Sequence, residues 1–161
     1  MTIDTAAMPS SPSSTLLRTH GIRVTQTRLA VLSVLLDSAR ALSHLELHFK
    51  LPDVDRVTLY RALACLTEGG LVHKISGDDR VFRYSAGNEQ PAQPPAAGNT
   101  HQHGHFKCTR CTRIFCLSDT GASPALQAQL TQSLHNSLGP DFQSHEVELT
   151  IKGWCADCSH P

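Results

Sequence analysis

The sequence predicts an N-terminal winged helix-turn-helix followed by a small C-terminal α+β domain. Three observations predict it. Apolar residues at helical spacing dominate residues 14–70 and give way to two short strand-like runs at 71–75 and 80–85. A Pro/Ala/Gln-rich stretch, "SAGNEQPAQPPAAGNT" (85–100), then interrupts the chain. Beyond it, "CTRC" (108–111) and "CADC" (155–158) bracket an alternation of strand and helix patterns, the mark of a small unit stapled by metal.

The elements follow in order. The N-terminus "MTIDTAAMPSSPSS" is polar, has no apolar signal core and carries Asp4, so residues 1–14 read as a disordered tail rather than a secretion signal. A first helix fits 14–23 and ends near Gly21. A second fits 25–39, with Thr25 as its cap and a stripe of Leu29, Leu32, Leu35 and Leu36. A third, at 43–50, opens on Ser43 with Glu46 completing a capping box, and Pro52 closes it. The fourth, "DRVTLYRALACLTEGG" (55–70), buries Leu59, Leu63 and Leu66 and stops at the glycine pair. "LVHKI" and "RVFRYS", joined by "SGDD", make a two-stranded wing and complete a reading domain over 15–84. Arg56, Thr58, Tyr60 and Arg61 crowd the start of the fourth helix, where such a fold presents its recognition face to a DNA groove.

The 85–100 stretch has three prolines and two glycines and is too long for a compact connection, so it reads as a hinge. After it, "HGHFKC", "RIFCLS" and "HEVELTIKG" read as strands. A helix at 123–139 lies between the last two, with Ser123 as cap, Pro124 at its first position and Gly139 as its stop. The second domain therefore spans 101–161.

Composition narrows the class. Of 161 residues, 40% are hydrophobic, enough for compact cores, but only 5% are aromatic, so those cores are aliphatic. No run approaches about 18 consecutive apolar residues, so no segment is expected to span a membrane, and a cytoplasmic protein is expected. Residues 1–84 hold ten Lys/Arg against eight Asp/Glu, and 85–161 hold four against six, net +2 and −2. The small basic excess falls in the half without the CxxC pairs and suits a nucleic-acid reader if its arginines cluster.

Cys108, Cys111, Cys155 and Cys158 form two knuckles separated by 43 residues. Paired knuckles supply the tetrahedral S₄ shell that suits Zn²⁺. A single CxxC would also fit redox exchange, and iron–sulfur ligation expects tighter clustering. Four protein ligands leave no open position for water, which makes this a structural zinc. "HQHGH" leaves His101, His103 and His105 unused, and Cys116 lies on the next strand. His103 and His105 alternate onto one strand face. With Cys116, and with His73 from the wing, they form a candidate second, regulatory zinc site; His101 is the reserve ligand.

"RVTQTRLAVLSVL" (23–35), "DRVTLYRALACLTEGGLVHKI" (55–75), "HGHFKCTRC" (103–111) and "GWCADC" (153–158) resemble, in that order, the signatures of the ferric uptake regulator family. The resemblance implies a metal-dependent homodimeric transcription repressor. Its winged helix would bind palindromic operator DNA, and its C-terminal α+β domain would serve dimerisation. It implies that Arg23 reaches the minor groove and Arg28 the phosphate backbone, while Tyr60 and Arg61 lie on the recognition helix. It also implies structural zinc at the four CxxC cysteines and sensor ligands at His103 and His105. Cys116 falls where iron-type members carry a glutamate, and His73 and His101 align with sensor histidines of zinc-responsive members. Two positions depart from the iron-type pattern: Ala41 replaces a histidine, and Arg83 replaces a glutamate. With Cys116 gained, the donor set leans toward zinc, and the reading is a zinc-responsive repressor of metal uptake genes. The alternatives are an iron- or peroxide-responsive regulator of the same family and, more remotely, a zinc hydrolase. No HExxH motif is present, and Glu146 and Glu148 are the only carboxylates that would serve as its base. No catalytic residue is assigned, and the chain reads as a regulator rather than an enzyme.

Overall fold

The computed structural model of the protein describes residues 11–86, 104–117, 124–143 and 149–159. The first helix, α1 (Pro12–Thr19), begins two residues before the apolar spacing indicates. The Ser11 hydroxyl accepts the Ser14 N–H at 3.2 Å and Pro12 supplies a pre-set first turn. After it Gly21 turns the chain at φ +66, a left-handed conformation that favours glycine. The second helix, α2 (Gln26–Leu36), is capped by the Thr25 hydroxyl, which accepts the Arg28 N–H at 3.3 Å. It stops three residues short of 39 because the Ser38 hydroxyl turns to the Arg40 carbonyl at 2.7 Å and closes a local turn instead.

The capping box forms as read. Glu46 N–H donates to the Ser43 hydroxyl at 3.2 Å, Ser43 N–H donates to Glu46 Oε2 at 2.7 Å, and α3 (His44–Lys50) follows. The same serine belongs to β1 (Leu42–Ser43), which the sequence does not betray, since two residues have no alternation to read. Next comes α4 (Arg56–Glu68), whose first turn is held by the Asp55 carboxylate accepting the Val57 and Thr58 N–H groups at 3.0 Å each. The wing hairpin is β2 (His73–Ser76) and β3 (Phe82–Ser85). Because β1 pairs with the free edge of β3, placing Leu42 opposite Tyr84, the wing has three strands in the order β1-β3-β2, not two.

Helical stripes and the wing's inner face meet in one aliphatic core. Leu17, Val31, Leu32, Leu47, Leu59 and Leu63 are all fully buried there. Each such side chain contributes roughly 1.5–3 kcal/mol by leaving water. This core fixes α4 so that Leu59, Ala62, Leu63 and Leu66 face inward while Tyr60 and Arg61 stay exposed.

The second unit comprises β4 (Gly104–Cys108), β5 (Ile114–Leu117), α5 (Pro124–Leu138), β6 (Leu149–Gly153) and α6 (Ala156–Ser159). Its sheet runs β5-β4-β6, antiparallel between β4 and β5 and parallel between β4 and β6. A parallel pair needs a long crossover, and α5 lies in that connection. Four-residue α6 is a further element the sequence does not announce. Of the stretch read as a hinge, 85–100, Ser85 is the last residue of β3 and Ala86 packs on the N-terminal core. Positions 87–100, Ser123 and residues 145–148 of the last strand pattern lie outside the described residues. Among the described residues no helix is long and apolar enough to cross a membrane.

Leu63→Ala should destabilise the N-terminal unit by about 2–5 kcal/mol, read as a lowered denaturant midpoint. In the wing turn, the Arg83 guanidinium holds the Asp79 carboxyl down to about 2, well below its ordinary value. A depressed carboxylate stabilises the fold above its unfolded pKa of about 3.9 and loses that contribution as pH falls through the folded value. Asp79→Asn should therefore flatten the loss of stability between about pH 4 and pH 2, measured by thermal melts against pH.

Candidate metal centre and nucleic-acid interface

The metal centre is built by strand register. In the parallel pairing of β4 with β6, Cys108 lies opposite Gly153, and Thr109 N–H donates to the Gly153 carbonyl at 2.8 Å. The first knuckle leaves β4 by a turn in which Thr112 adopts φ 59 and its N–H donates to the Cys108 carbonyl at 3.0 Å. The second leaves β6 at Cys155 and enters α6, where Cys158 N–H donates to the Cys155 carbonyl at 2.9 Å. Four sulfur atoms converge as a result.

The Sγ atoms of Cys108, Cys111, Cys155 and Cys158 all lie within 4.8 Å of one another. Cys111 and Cys155 are 3.7 Å apart, against about 3.8 Å for the edge of a tetrahedron with Zn–S bonds of about 2.3 Å. All four are free thiols. Backbone N–H groups, Cys111 first and Cys155 next, pull the Cys108 thiol down to about 6. The neighbouring thiols, Cys155 foremost, push Cys158 up to about 12. Charge placed on one sulfur thus suppresses charge on the next, and only a cation at the centre lets all four ionise. The donor set fits zinc, which would supply that charge and cross-link the two knuckles.

Two arginines of the first knuckle grip the second. The Arg110 guanidinium lies 3.8 Å over the Trp154 ring and donates to the Cys158 carbonyl at 2.7 Å. Arg113 forms an ion pair with Asp157. Sequence reading assigns no role to these four residues, because no short motif links position 110 to 154 or 113 to 157.

The regulatory set is brought together only in part. His105 is buried in β4 directly opposite Cys116 of β5, so both side chains share one sheet face. Burial pushes the Cys116 thiol up, and a hydrogen bond with Ser85 partly offsets it. Ser85 in turn pairs with His73 across β2–β3, so the wing end carrying His73 abuts the strand carrying Cys116. His101 and His103 lie outside the described residues. Among the described residues, Cys108, Cys111, Cys155 and Cys158 form the one group of three or more potential ligands that converges.

On the reading domain, Arg56, Thr58, Tyr60 and Arg61 are all exposed, while Leu59 between them is buried. Arg23 is exposed, and Arg28 donates to its carbonyl at 2.8 Å, so the two arginines sit together before and within α2. Next to α4 runs an apolar groove of ≈ 570 Å³ lined by Leu45, Val57, Tyr60, Val81 and Phe82, which the motif-based reading overlooks. An exposed apolar surface flanked by arginines suits base edges and thymine methyl groups as well as phosphates.

Trp154 is the chain's single tryptophan and precedes Cys155, so its emission reports on the knuckles. Chelation of the metal, or Cys111→Ser, should remove about one zinc per chain, shift Trp154 fluorescence and unfold the C-terminal unit. Unchanged zinc content and emission in Cys111→Ser would remove this residue from the ligand set.

The model of the ferric uptake regulator family matches residues 19–150 of this chain. The chain is 33% identical over 150 residues to the transcriptional regulator FurA of Mycobacterium tuberculosis, covering 89% of this chain and 87% of that protein. It is 28% identical over 150 residues to the ferric uptake regulation protein of Bacillus subtilis, with 89% of each covered. A zinc uptake regulator solved with zinc and DNA superposes with TM-score 0.57 at 26% identity, covering 90% of this chain and 89% of that one. The hydrolase alternative finds no support, since four thiolates close the zinc coordination shell. The chain belongs to the ferric uptake regulator family and is a metal-responsive, DNA-binding transcription regulator with a winged-helix domain and a small α+β domain.

Proposed function

We propose that the protein is a homodimeric repressor of metal uptake genes that binds palindromic operators when a second metal ion occupies the junction of wing and C-terminal sheet. The observation that carries this reading is the outward face of α4, where Arg56, Thr58, Tyr60 and Arg61 are exposed on a helix anchored by buried leucines. Arg56 and Arg61 would meet phosphate or guanine, Tyr60 a thymine methyl, and Arg23 and Arg28 the adjoining backbone. The domains in this reading are 15–84 for DNA, 85–100 as hinge and 101–161 for metal and dimerisation.

For the regulatory metal, the ferric uptake names of the relatives support an iron-responsive regulator, or a peroxide-responsive one that uses iron. A zinc-responsive regulator is the second reading, and one observation favours it: Cys116 faces His105 across β4–β5. A thiolate beside an imidazole is a softer donor pair than iron-type carboxylate sites offer. His73 and His103, with His101 in reserve, would complete the shell. Such an ion shifts the protein toward its DNA-competent form only by binding that form more tightly.

The test is operator binding by protein that retains structural zinc, titrated separately with buffered Fe²⁺, Zn²⁺ and Mn²⁺. Tightening by Fe²⁺ supports the first reading, and tightening by Zn²⁺ alone the second; none with any metal rejects metal-dependent repression. His103→Ala/Cys116→Ala should stay folded, keep its structural zinc and lose the response. Tyr60→Ala should weaken specific binding by about 1–3 kcal/mol while leaving non-specific binding nearly unchanged.

A further inference from the structure

The wing tip does not project freely but lies against the C-terminal sheet. Lys152 of β6 pairs with Asp78 at 2.8 Å, and Lys107 of β4 donates to the Ser76 carbonyl at 2.9 Å. These two lysines are register partners across β4–β6, a like-charge pair that is unfavourable alone and is relieved by the Asp78 carboxylate. The Asp78 carboxyl is lowered in consequence, through its hydrogen bond from Lys152 first and with help from the Lys107 charge.

A second, more buried set lies alongside. Arg83 is 7% exposed and grips Asp79 with both terminal nitrogens, at 2.9 and 2.7 Å. The same Nη2 donates to the Thr112 hydroxyl at 3.1 Å, on the turn that leaves the first cysteine knuckle. Gly77 makes room for the pair, since a Cβ there would meet Asp79 Oδ1 at 2.3 Å and Arg83 Nη1 at 2.4 Å. Beneath, Ala41 N–H donates to the Ile114 carbonyl at 2.8 Å, and Ala41, Ile75 and Ile114 form a separate buried cluster against which Cys116 packs.

We propose that Asp78–Lys152, Ser76–Lys107 and Asp79–Arg83–Thr112 form a latch, independent of the regulatory metal, that closes the wing on the C-terminal sheet before any regulatory ion binds. Among the described residues its apolar centre is Ala41, Ile75 and Ile114 with Cys116 against them, and the polar contacts add the directional placement of the two units. Each exposed pair is weak alone, but contacts carried on one preformed hairpin act as linked sites, so ordering the first raises the effective concentration of the others. Ala41 and Arg83 are themselves latch residues. The protein therefore supplies part of the domain closure that an ion would otherwise have to enforce, and a latched protein keeps residual operator affinity without the regulatory ion. That last consequence rests on the repressor reading; the latch itself does not.

Amide hydrogen exchange of the full chain, with structural zinc retained and no other metal added, tests the latch without DNA. The Ala41 amide is the reporter because its acceptor lies across the interface, and the Leu63 amide in α4 is the folding control. Lys152→Asp, and separately Arg83→Met, should speed Ala41 exchange about fivefold or more at low salt while Leu63 is unchanged. The swap Asp78→Lys/Lys152→Asp should restore protection, and about 1 M NaCl should reproduce the loss in the parent. Ala41 exchange that stays at the parent rate in Lys152→Asp and Arg83→Met would overturn the latch. Operator binding then judges the regulatory consequence, using duplexes selected from a random pool by the metal-loaded parent. Lys152→Asp should lose affinity severalfold more in the protein without regulatory metal than in the loaded protein. An equal change in both states overturns that consequence. A parent that selects no duplex with any metal rejects the repressor reading and leaves the exchange result standing.

Discussion

Four thiols held within 4.8 Å of one another are the constraint on which the C-terminal unit is organised. They join the end of β4 to the start of α6, two places that the crossover through α5 separates in the chain. The sheet register and the sulfur cluster are the same fact seen twice, because pairing Cys108 with Gly153 delivers Cys155 to the first knuckle. Without a cation the arrangement is self-opposed, with one thiol drawn down to about 6 and another driven up to about 12. A divalent ion held by Cys108, Cys111, Cys155 and Cys158 would supply the charge that lets all four thiols ionise, and the Arg110–Trp154 stack and the Arg113–Asp157 pair also join the two knuckles. Metal binding and folding are then one process.

The two units differ in how they are held. The N-terminal unit has a continuous aliphatic core that draws on all four of its helices and the wing, and needs no ion. Among the described residues of the C-terminal unit, the buried apolar side chains are Cys108, Ile114 and Cys155. The sulfur cluster adds a cross-link to this set. This division suits a sensor. The buried leucines of α4 keep Arg56, Thr58, Tyr60 and Arg61 at fixed mutual positions, and the unit beside it carries the thiol cluster that fits a metal ion.

Between the units, polarity rather than apolar burial decides placement. Ala41 and Arg83 lie in this boundary, where they contribute an N–H to Ile114 and a guanidinium to Thr112.

The sequence by itself determined what depends on short-range chemistry. Caps at Ser11, Thr25, Ser43 and Asp55 act within one turn, and of these Thr25 and the Ser43–Glu46 box were legible as written. The buried stripe Leu59, Leu63 and Leu66, the wing hairpin and the two CxxC knuckles were legible for the same reason, since each is a periodicity or spacing in a few residues. Tertiary structure alone decided what depends on strands meeting. β1 exists because β3 offers an edge, and the parallel register of β4 with β6 selects which knuckle atoms touch. His105 faces Cys116 only through the β4–β5 ladder. The Lys107/Lys152 pair, the Arg83 bridge to Thr112 and the groove beside Tyr60 join residues dozens of positions apart, and no local pattern encodes such contacts. Local hydrogen bonding and apolar spacing are written along the chain, whereas the energy of these long-range contacts appears only once strands and helices distant in sequence are packed together.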